Sequence, residues 1–447
     1  LGNVINLLRQ FFSDSHLDKT AQECGFLIRA RKITPLRFII SLIFNELNQN
    51  ETSLLKLKLD FLKMFGSSVS REAIHKKFNK NAVNFMKNIL GQLLNKRFNI
   101  ESTKPQNIEF FNRICIKDSS KFKLPGNLSL DYPGYGGSFN CQGIMNLQYE
   151  YDLLSGNWEK LEFTKATRND QTDSRETLSE IKKKDLLIRD LGYITPIYLQ
   201  EITKKKAYFL NRMPTNYSVF MDDEGQKAIN WEKIQKMMTN KKINILEFNV
   251  LLSKKHRIAS RMIVTKVTKE VYEQRIRKAR KHAKSKNCQL SKEYKMKAWL
   301  NIFITNVPVD IFSSKDIIKA YSLRWQIELV FKTWKSILRI NEVKAVKKDR
   351  FECQLIARMI WLLIHNQFFQ RINNLIRKKM PGNGLSLFKF FGLAKNISSI
   401  LREIITDRSS PKTVWIDIII QSIPHMLIDH KKGKTPYCQL FNELLNA

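Results

Sequence analysis

Phe110-Phe-Asn-Arg-Ile-Cys-Ile-Lys117 is the stretch on which the fold turns. Upstream of it apolar residues return every three or four positions. Near Pro105 the period shortens to two, and residues 110–117 read as a strand that ends at Asp118, with Ser119-Ser120 behind it. Residues 122–124, 144–151 and 158–164 read as further strands, the glycine-rich Pro133-Gly-Tyr-Gly-Gly137 standing before the second of these. A helix is expected over 173–183. The short apolar run Leu186-Leu-Ile-Arg-Asp190 follows and stops on an acid ahead of Leu191-Gly192-Tyr193.

Strands, then a helix and a further strand, with an aspartate ending the first strand and the last, match the three strands, helix and fourth strand of a ribonuclease-H-like core. In that arrangement the first and fourth strands are neighbours, so Asp118 and Asp190 are expected to meet. Taken singly, Asp118 is an ordinary turn residue and Asp190 a helix cap near Gly192; the strand order is what joins them. Two carboxylates so close repel, and a divalent cation relieves the repulsion.

A third acid comes from Tyr321-Ser-Leu-Arg324-Trp-Gln-Ile-Glu328-Leu-Val-Phe-Lys-Thr-Trp-Lys335, expected to form one helix. At roughly 100° per residue, Tyr321, Arg324 and Lys335 fall within about 60° of azimuth around Glu328. One stripe therefore carries a carboxylate flanked by a phenol and two cations. Leu323, Ile327, Val330, Phe331 and Trp334 make the flanking apolar stripe that would bury the helix. Alone, this is an amphipathic helix with a solvated charged face. Joined to Asp118 and Asp190, Glu328 completes a donor set for two Mg2+ ions about 4 Å apart, the arrangement suited to phosphodiester chemistry.

Composition points to a polyanionic partner. Lys and Arg number 77 against 41 acids in 447 residues, a net charge of +36, and the pI is about 9.9. A 43% hydrophobic content excludes a wholly disordered chain. No apolar run approaches the ~20 residues that span a bilayer. Cys24, Cys115, Cys141, Cys288, Cys353 and Cys438 form no C-x-x-C pair, which argues against a zinc site and a disulfide framework and for a reducing compartment. His365, in Ile360-Trp-Leu-Leu-Ile-His365, reads as a core histidine.

The chain divides by pattern into an all-helical N-terminal region over 1–105, a first core segment over 106–213, a β-rich basic insertion over 214–298, a second core segment over 299–375 and a helical C-terminal region over 376–447. Helices are expected over 34–47, 53–65 and 70–94, with Ser70 as a cap. Arg29, Arg31, Lys32, Arg71, Lys76 and Lys77 lie near their starts, as in a DNA-docking module or an ordinary helical bundle. After a strand at 207–212, the insertion holds strands over 243–252 and 258–267. It ends in a basic helix whose residues 275–286 carry Arg275, Arg277, Lys278, Arg280, Lys281, Lys284 and Lys286 and no acid, suited to tracking a phosphate backbone. Residues 299–305 return to strand character.

The spacing Tyr321, Arg324, Glu328, Lys335 resembles the Y-R-E-K signature of bacterial DDE transposases of the insertion sequence 4 family. Ile116-Lys-Asp118-Ser-Ser-Lys-Phe-Lys-Leu-Pro125 and Arg189-Asp190-Leu-Gly-Tyr193 are similar to that family's two aspartate segments. The resemblance covers about residues 30–370. It implies a metal-dependent enzyme in which Asp118, Asp190 and Glu328 bind two Mg2+ or Mn2+ and catalyse cleavage at transposon ends, then joining of the freed 3′-hydroxyl to target DNA. It implies phosphate contacts from Tyr321, Arg324 and Lys335, and a basic residue beside the terminal DNA at Arg212. Relatives usually excise through a hairpin with a flipped base on a tryptophan, for which Trp299 is the nearest candidate, a core tryptophan being the other reading of that residue. A homodimer in the synaptic complex, double-stranded DNA as partner and a cytoplasmic, nucleoid-associated location follow from the same likeness. Two other readings stand beside it: a DNA-binding derivative without catalysis, and a nuclease that hydrolyses without strand transfer.

Overall fold

The computed structural model describes residues 1–29, 31–45, 53–96, 110–135, 142–214, 217–221, 227–240, 243–285, 287–380, 382–407 and 409–429. Cys141, Cys438, Lys286 and the second half of the glycine-rich loop lie outside these residues. Strands β1 (Arg113–Leu124), β2 (Gly143–Asp152), β3 (Trp158–Lys165), β4 (Asp185–Arg189), β5 (Tyr208–Arg212), β6 (Val219–Phe220), β7 (Ile245–Leu252), β8 (Ile258–Lys266) and β9 (Leu300–Thr305) form one mixed sheet. Their order is β3-β2-β1-β4-β5-β9-β8-β7-β6.

β1, β2 and β3 make an antiparallel meander; β4 joins β1 in parallel and β5 joins β4 in parallel. Parallel neighbours need crossovers. The helix Asp170–Glu176 leads into β4, and the helix Pro196–Lys204 leads into β5. β4 is buried at every position, as befits an inner parallel strand covered on both faces. The first and fourth strands of the sequence reading are thus neighbours.

Side chains alternate across the sheet. Ile114, Ile116, Leu186 and Ile188 enter one core, which also takes in the N-terminal helices and most of the long helix Lys348–Lys379. Cys115 and Leu187 enter a second core on the opposite face, closed by the helices Pro196–Lys204 and Trp231–Asn240. The N-terminal helices (Gly2–Phe11, Asp14–Glu23, Pro35–Ile43, Leu54–Phe65, Arg71–Lys77 and Lys80–Asn95) therefore pack onto the same body as β1.

Several elements differ from the sequence reading. Residues 113–117 of the expected first strand and residues 122–124 belong to one strand, β1, which begins at Arg113 rather than Phe110, because the ladder to β2 runs unbroken from Cys115 opposite Asp152 to Leu124 opposite Gly143. Asp118 accordingly sits in mid-strand, opposite Tyr149, rather than at a strand end. The helix expected over 173–183 starts earlier and is shorter: Asn169 caps it at Asp170, and it closes at Glu176 into a 3-10 turn, Leu178–Glu180. The helix expected over 70–94 is two, Arg71–Lys77 and Lys80–Asn95, each capped by a side-chain oxygen, Ser70 and Asn79. The single helix expected over 321–335 is also two, Ser314–Ser322 and Trp325–Ile337. There the amides of Gln326 and Ile327 reach carbonyls only three residues back, on Leu323 and Arg324, which tightens the chain into a 3-10-like step. The strands of the insertion extend the main sheet, since β8 pairs with β9 and β9 with β5.

Trp334, 1% exposed, ties the Glu328 helix to the meander: its ring lies 4.8 Å from Tyr149 of β2 and 5.0 Å from Trp158 of β3. His365 is fully buried, stacked 3.8 Å from Trp361, with Nδ1 donating to the Trp361 carbonyl at 2.8 Å. It is the core histidine the sequence suggested. Among the described residues no helix is long and apolar enough to cross a membrane.

Two expectations follow from this packing. Trp334→Ala should lower unfolding stability by about 3–5 kcal/mol, read as a reduced urea midpoint with an unchanged denaturant slope. Burial pushes His365 down to about 4, so the native state stays neutral while the unfolded chain gains a proton below about 6.5. Stability is fully present above that value and falls with acidification, by about 2 kcal/mol at pH 5. His365→Leu should remove this component of the pH dependence; a slope identical to wild type between pH 7.5 and 5 would refute it.

Candidate active site

The parallel register of β1 and β4 ends with Lys117 opposite Arg189, one residue before each aspartate. Asp118 and Asp190 therefore leave adjacent strands at the same level. Asp118 is mostly enclosed. Its Oδ1 accepts from the Ser119 amide at 2.8 Å, and its Oδ2 from Arg324 Nη1 at 3.2 Å. Burial pushes its carboxyl up to about 6, helped by the charges of Asp190 and Asp170, while the Ser119 amide and Arg324 oppose the rise.

Arg324 stands at the 3-10-like step between the two helices and spans two acids. One nitrogen faces Asp118, and Nη2 donates to Glu328 Oε1 at 2.5 Å. Its guanidinium also feels Tyr321 and Asp190. Tyr321, 9% exposed, packs 5.2 Å from the Phe303 ring. Burial pushes its phenol up to about 12, against the pull of Arg324 and with a push from Asp190. Lys335 lies two turns beyond Glu328 and is partly buried, which lowers its ammonium below the usual range. Asp118, Asp190, Glu328, Tyr321 and Arg324 are thus gathered from β1, the end of β4 and the two successive helices.

A cationic rim continues from this cluster. Arg212, the last residue of β5, is near enough for its charge to bear on Tyr321. Arg275 and Arg212 both donate to Asn301 Oδ1, at 2.5 and 3.3 Å. Arg275 also donates to the carbonyls of Ala298 and Leu300. Burial and the charge of Arg212 lower its pKa. Arg277, Lys278, Arg280 and Lys281 point to solvent along the helix Lys269–Ser285, whose single buried residue is Ile276. Trp299 stacks one face on Tyr272 of that helix, 3.9 Å away at 12° between planes.

The sequence reading missed Asp170. This acid opens the helix Asp170–Glu176, accepts from Gln148 at 3.0 Å and acts electrostatically on Asp118 and Tyr193. It rests against Gly192, where a Cβ would meet its Oδ2 at 2.9 Å. The cap at Asn169 was a local signal for the helix start, but nothing in the spacing linked Asp170 to Asp118. Among the described residues, no group of three or more acids, histidines or cysteines is drawn tightly enough to enclose a metal ion. Arg324 stands between Asp118 and Glu328 and donates to both.

Residues 109–364 match the family model described as "Transposase DDE domain". Over 420 residues the chain is 29% identical to the transposase for insertion sequence element IS231E of Bacillus thuringiensis subsp. finitimus, covering 91% of this chain and 87% of that one. Over 372 residues it is 30% identical to the transposase for insertion sequence element IS1151 of Clostridium perfringens, covering 80% and 78%. A piggyBac transposase synaptic complex with hairpin DNA is similar over 97% of this chain and 87% of that one, at 11% identity and a TM-score of 0.45. With that domain spanning more than half of its length and relatives matched over most of theirs, the chain belongs to the DDE-domain transposases of insertion sequences.

Proposed function

We propose that this chain is a cut-and-paste transposase of the insertion sequence 4 family, built on a ribonuclease-H-like core, that cleaves transposon ends and joins their 3′-hydroxyls to target DNA. The observation that carries the reading is the Arg324 bridge between Asp118 and Glu328, with Asp190 on the adjoining strand. The domain division follows the sequence reading: an N-terminal helical DNA-binding region, a core split around the insertion, and a helical C-terminal region.

The donor chemistry fits a hard divalent ion. Asp118, Asp190 and Glu328 offer carboxylate oxygens only, the preference of Mg2+ and Mn2+. Burial raises the Asp118 carboxyl even with Arg324 beside it, and a cation bound there would favour its ionised form. These three residues would hold the metal, which when bound activates the attacking oxygen and stabilises the leaving one. Arg324, Tyr321 and Lys335 bind and orient phosphates beside the scissile position, Arg324 by a bidentate fork and Lys335 as a point charge. A phosphate would compete with Asp118 and Glu328 for the Arg324 guanidinium, whose Nη1 and Nη2 face those acids.

Arg212 and Arg275 take the next phosphates. The acceptors these two guanidiniums meet, Asn301 and the carbonyls of Ala298 and Leu300, are all neutral, so their positive charge would be satisfied by an anion. The exposed Arg277, Lys278, Arg280 and Lys281 extend that track. A flipped base, if excision runs through a hairpin, stacks on Trp299 by using its second face or displacing Tyr272. Two ends held in one complex call for a homodimer.

Asp118→Asn and Glu328→Gln should each cut Mg2+-dependent end cleavage by more than about a thousandfold while end binding in EDTA persists. Cleavage at wild-type rates in either variant ends the assignment, and cleavage without joining to target plasmid leaves a nuclease. Lys335→Ala should preserve the fold, weaken end binding and reduce the slope of log affinity against log salt by about one. An unchanged slope and cleavage rate would remove its phosphate contact.

A further inference from the structure

The sheet face turned away from Asp118 and Asp190 carries a buried network of charge. Lys117 and Arg189 each precede one of the two aspartates, so the pleat sends them to the opposite side, with Cys115 and Leu187. They are register partners across β1 and β4. Glu150 of β2, the register partner of Lys117 on its other side, meets both: it accepts from Arg189 Nη2 at 2.7 Å and lies 3.8 Å from Lys117 Nζ. Lys117 is also ion-paired with Asp173. Arg189 is braced by Tyr198 at 3.4 Å, and its carbonyl accepts from Asn211 at 3.0 Å. Lys117, Arg189 and Asp173 are at most 2% exposed and Glu150 is 7% exposed.

An apolar set at these positions would bury without desolvation cost, so the network is weak as a device for stability. As a device for geometry it is strong. A one-residue slip of β4 against β1 would turn Arg189 into the acid cluster and Asp190 into the network. One carboxylate that engages a cation on each strand penalises that slip and any change in the spacing of the two strands.

On the metal-site reading above, we propose that Glu150 is a positioning residue which, by gripping Lys117 and Arg189, sets the separation of Asp118 and Asp190 and hence their affinity for a divalent cation. Glu150→Asp keeps the charge but shortens the reach by one methylene, so a single carboxylate no longer meets both cations. Glu150→Leu with Arg189→Met removes one pair as a pair and leaves Lys117 with Asp173. Each is compared with wild type by thermal melting, by end-DNA affinity in EDTA, by Mn2+ affinity from electron paramagnetic resonance, and by the Mn2+ concentration that half-saturates nicking.

The expected result is a melting temperature within about 5 °C of wild type and unchanged end affinity. Mn2+ binding should be about 10- to 100-fold weaker, and nicking should recover at high Mn2+. A folded variant with wild-type Mn2+ affinity overturns the proposal. So does unfolding of both variants, which makes Glu150 a residue of general stability. Asp118→Asn is the control: wild-type Mn2+ binding that is indifferent to it removes the metal-site reading and this inference with it. Binding that needs Asp118 yet survives in the Glu150 variants removes the positioning role alone.

Discussion

The parallel pairing of β1 with β4 is the constraint from which the rest of the molecule takes its form. Five register pairs, from Arg113 opposite Asp185 to Lys117 opposite Arg189, carry two chain segments about seventy residues apart to the same level. Because the pleat repeats every two residues, that register alone decides which side chains share a face. Ile114, Ile116, Leu186 and Ile188 go to one core, Cys115 and Leu187 to the other, and both cores resist sliding. Asp118 and Asp190 then emerge beside each other as a consequence of packing that neither of them contributes to.

The Glu328 helix reaches the same place by a separate route. Trp334 and Phe331 dock on Tyr149, which stands opposite Asp118 in the β1–β2 ladder. That aromatic contact, made on the sheet face that carries Asp118, holds the helix bearing Glu328 against the meander. Charge is arranged with the same economy of parts. The acids sit half-buried in the cluster, where burial raises Asp118 and Arg324 opposes the rise. Among the described residues, Arg212 and Arg275 stand at the rim on the neutral side chain of Asn301. Acids alone would repel a phosphate backbone; on the function proposed above, the rim would supply the attraction that brings it near.

Much of this was legible in the chain. The change of period near Pro105, the aspartates at 118 and 190 and the spacing of Tyr321, Arg324, Glu328 and Lys335 are local or positional signals, and the adjacency of the strands bearing Asp118 and Asp190 followed from element order. His365 was recognisable as a core residue from its apolar neighbours. Other features left no such mark. Asp118-Ser-Ser-Lys121 looks like a turn because it is polar, yet it continues β1 because β2 supplies its partners. The step at Leu323 and Arg324 interrupts a pattern that reads as one helix. Asp170 and Glu150 have no motif at all.

Periodicity and residue type, acting over a few neighbours, are enough to determine strand from helix, acid from base, and the order of elements along the chain. Which charged groups meet was decided only in three dimensions. Arg324 reaches Asp118 across 206 residues, Arg212 shares Asn301 with Arg275, and Glu150 joins Lys117 to Arg189. Such contacts depend on strand register, crossover and helix docking, and these are set by the burial of side chains far from the groups they bring together.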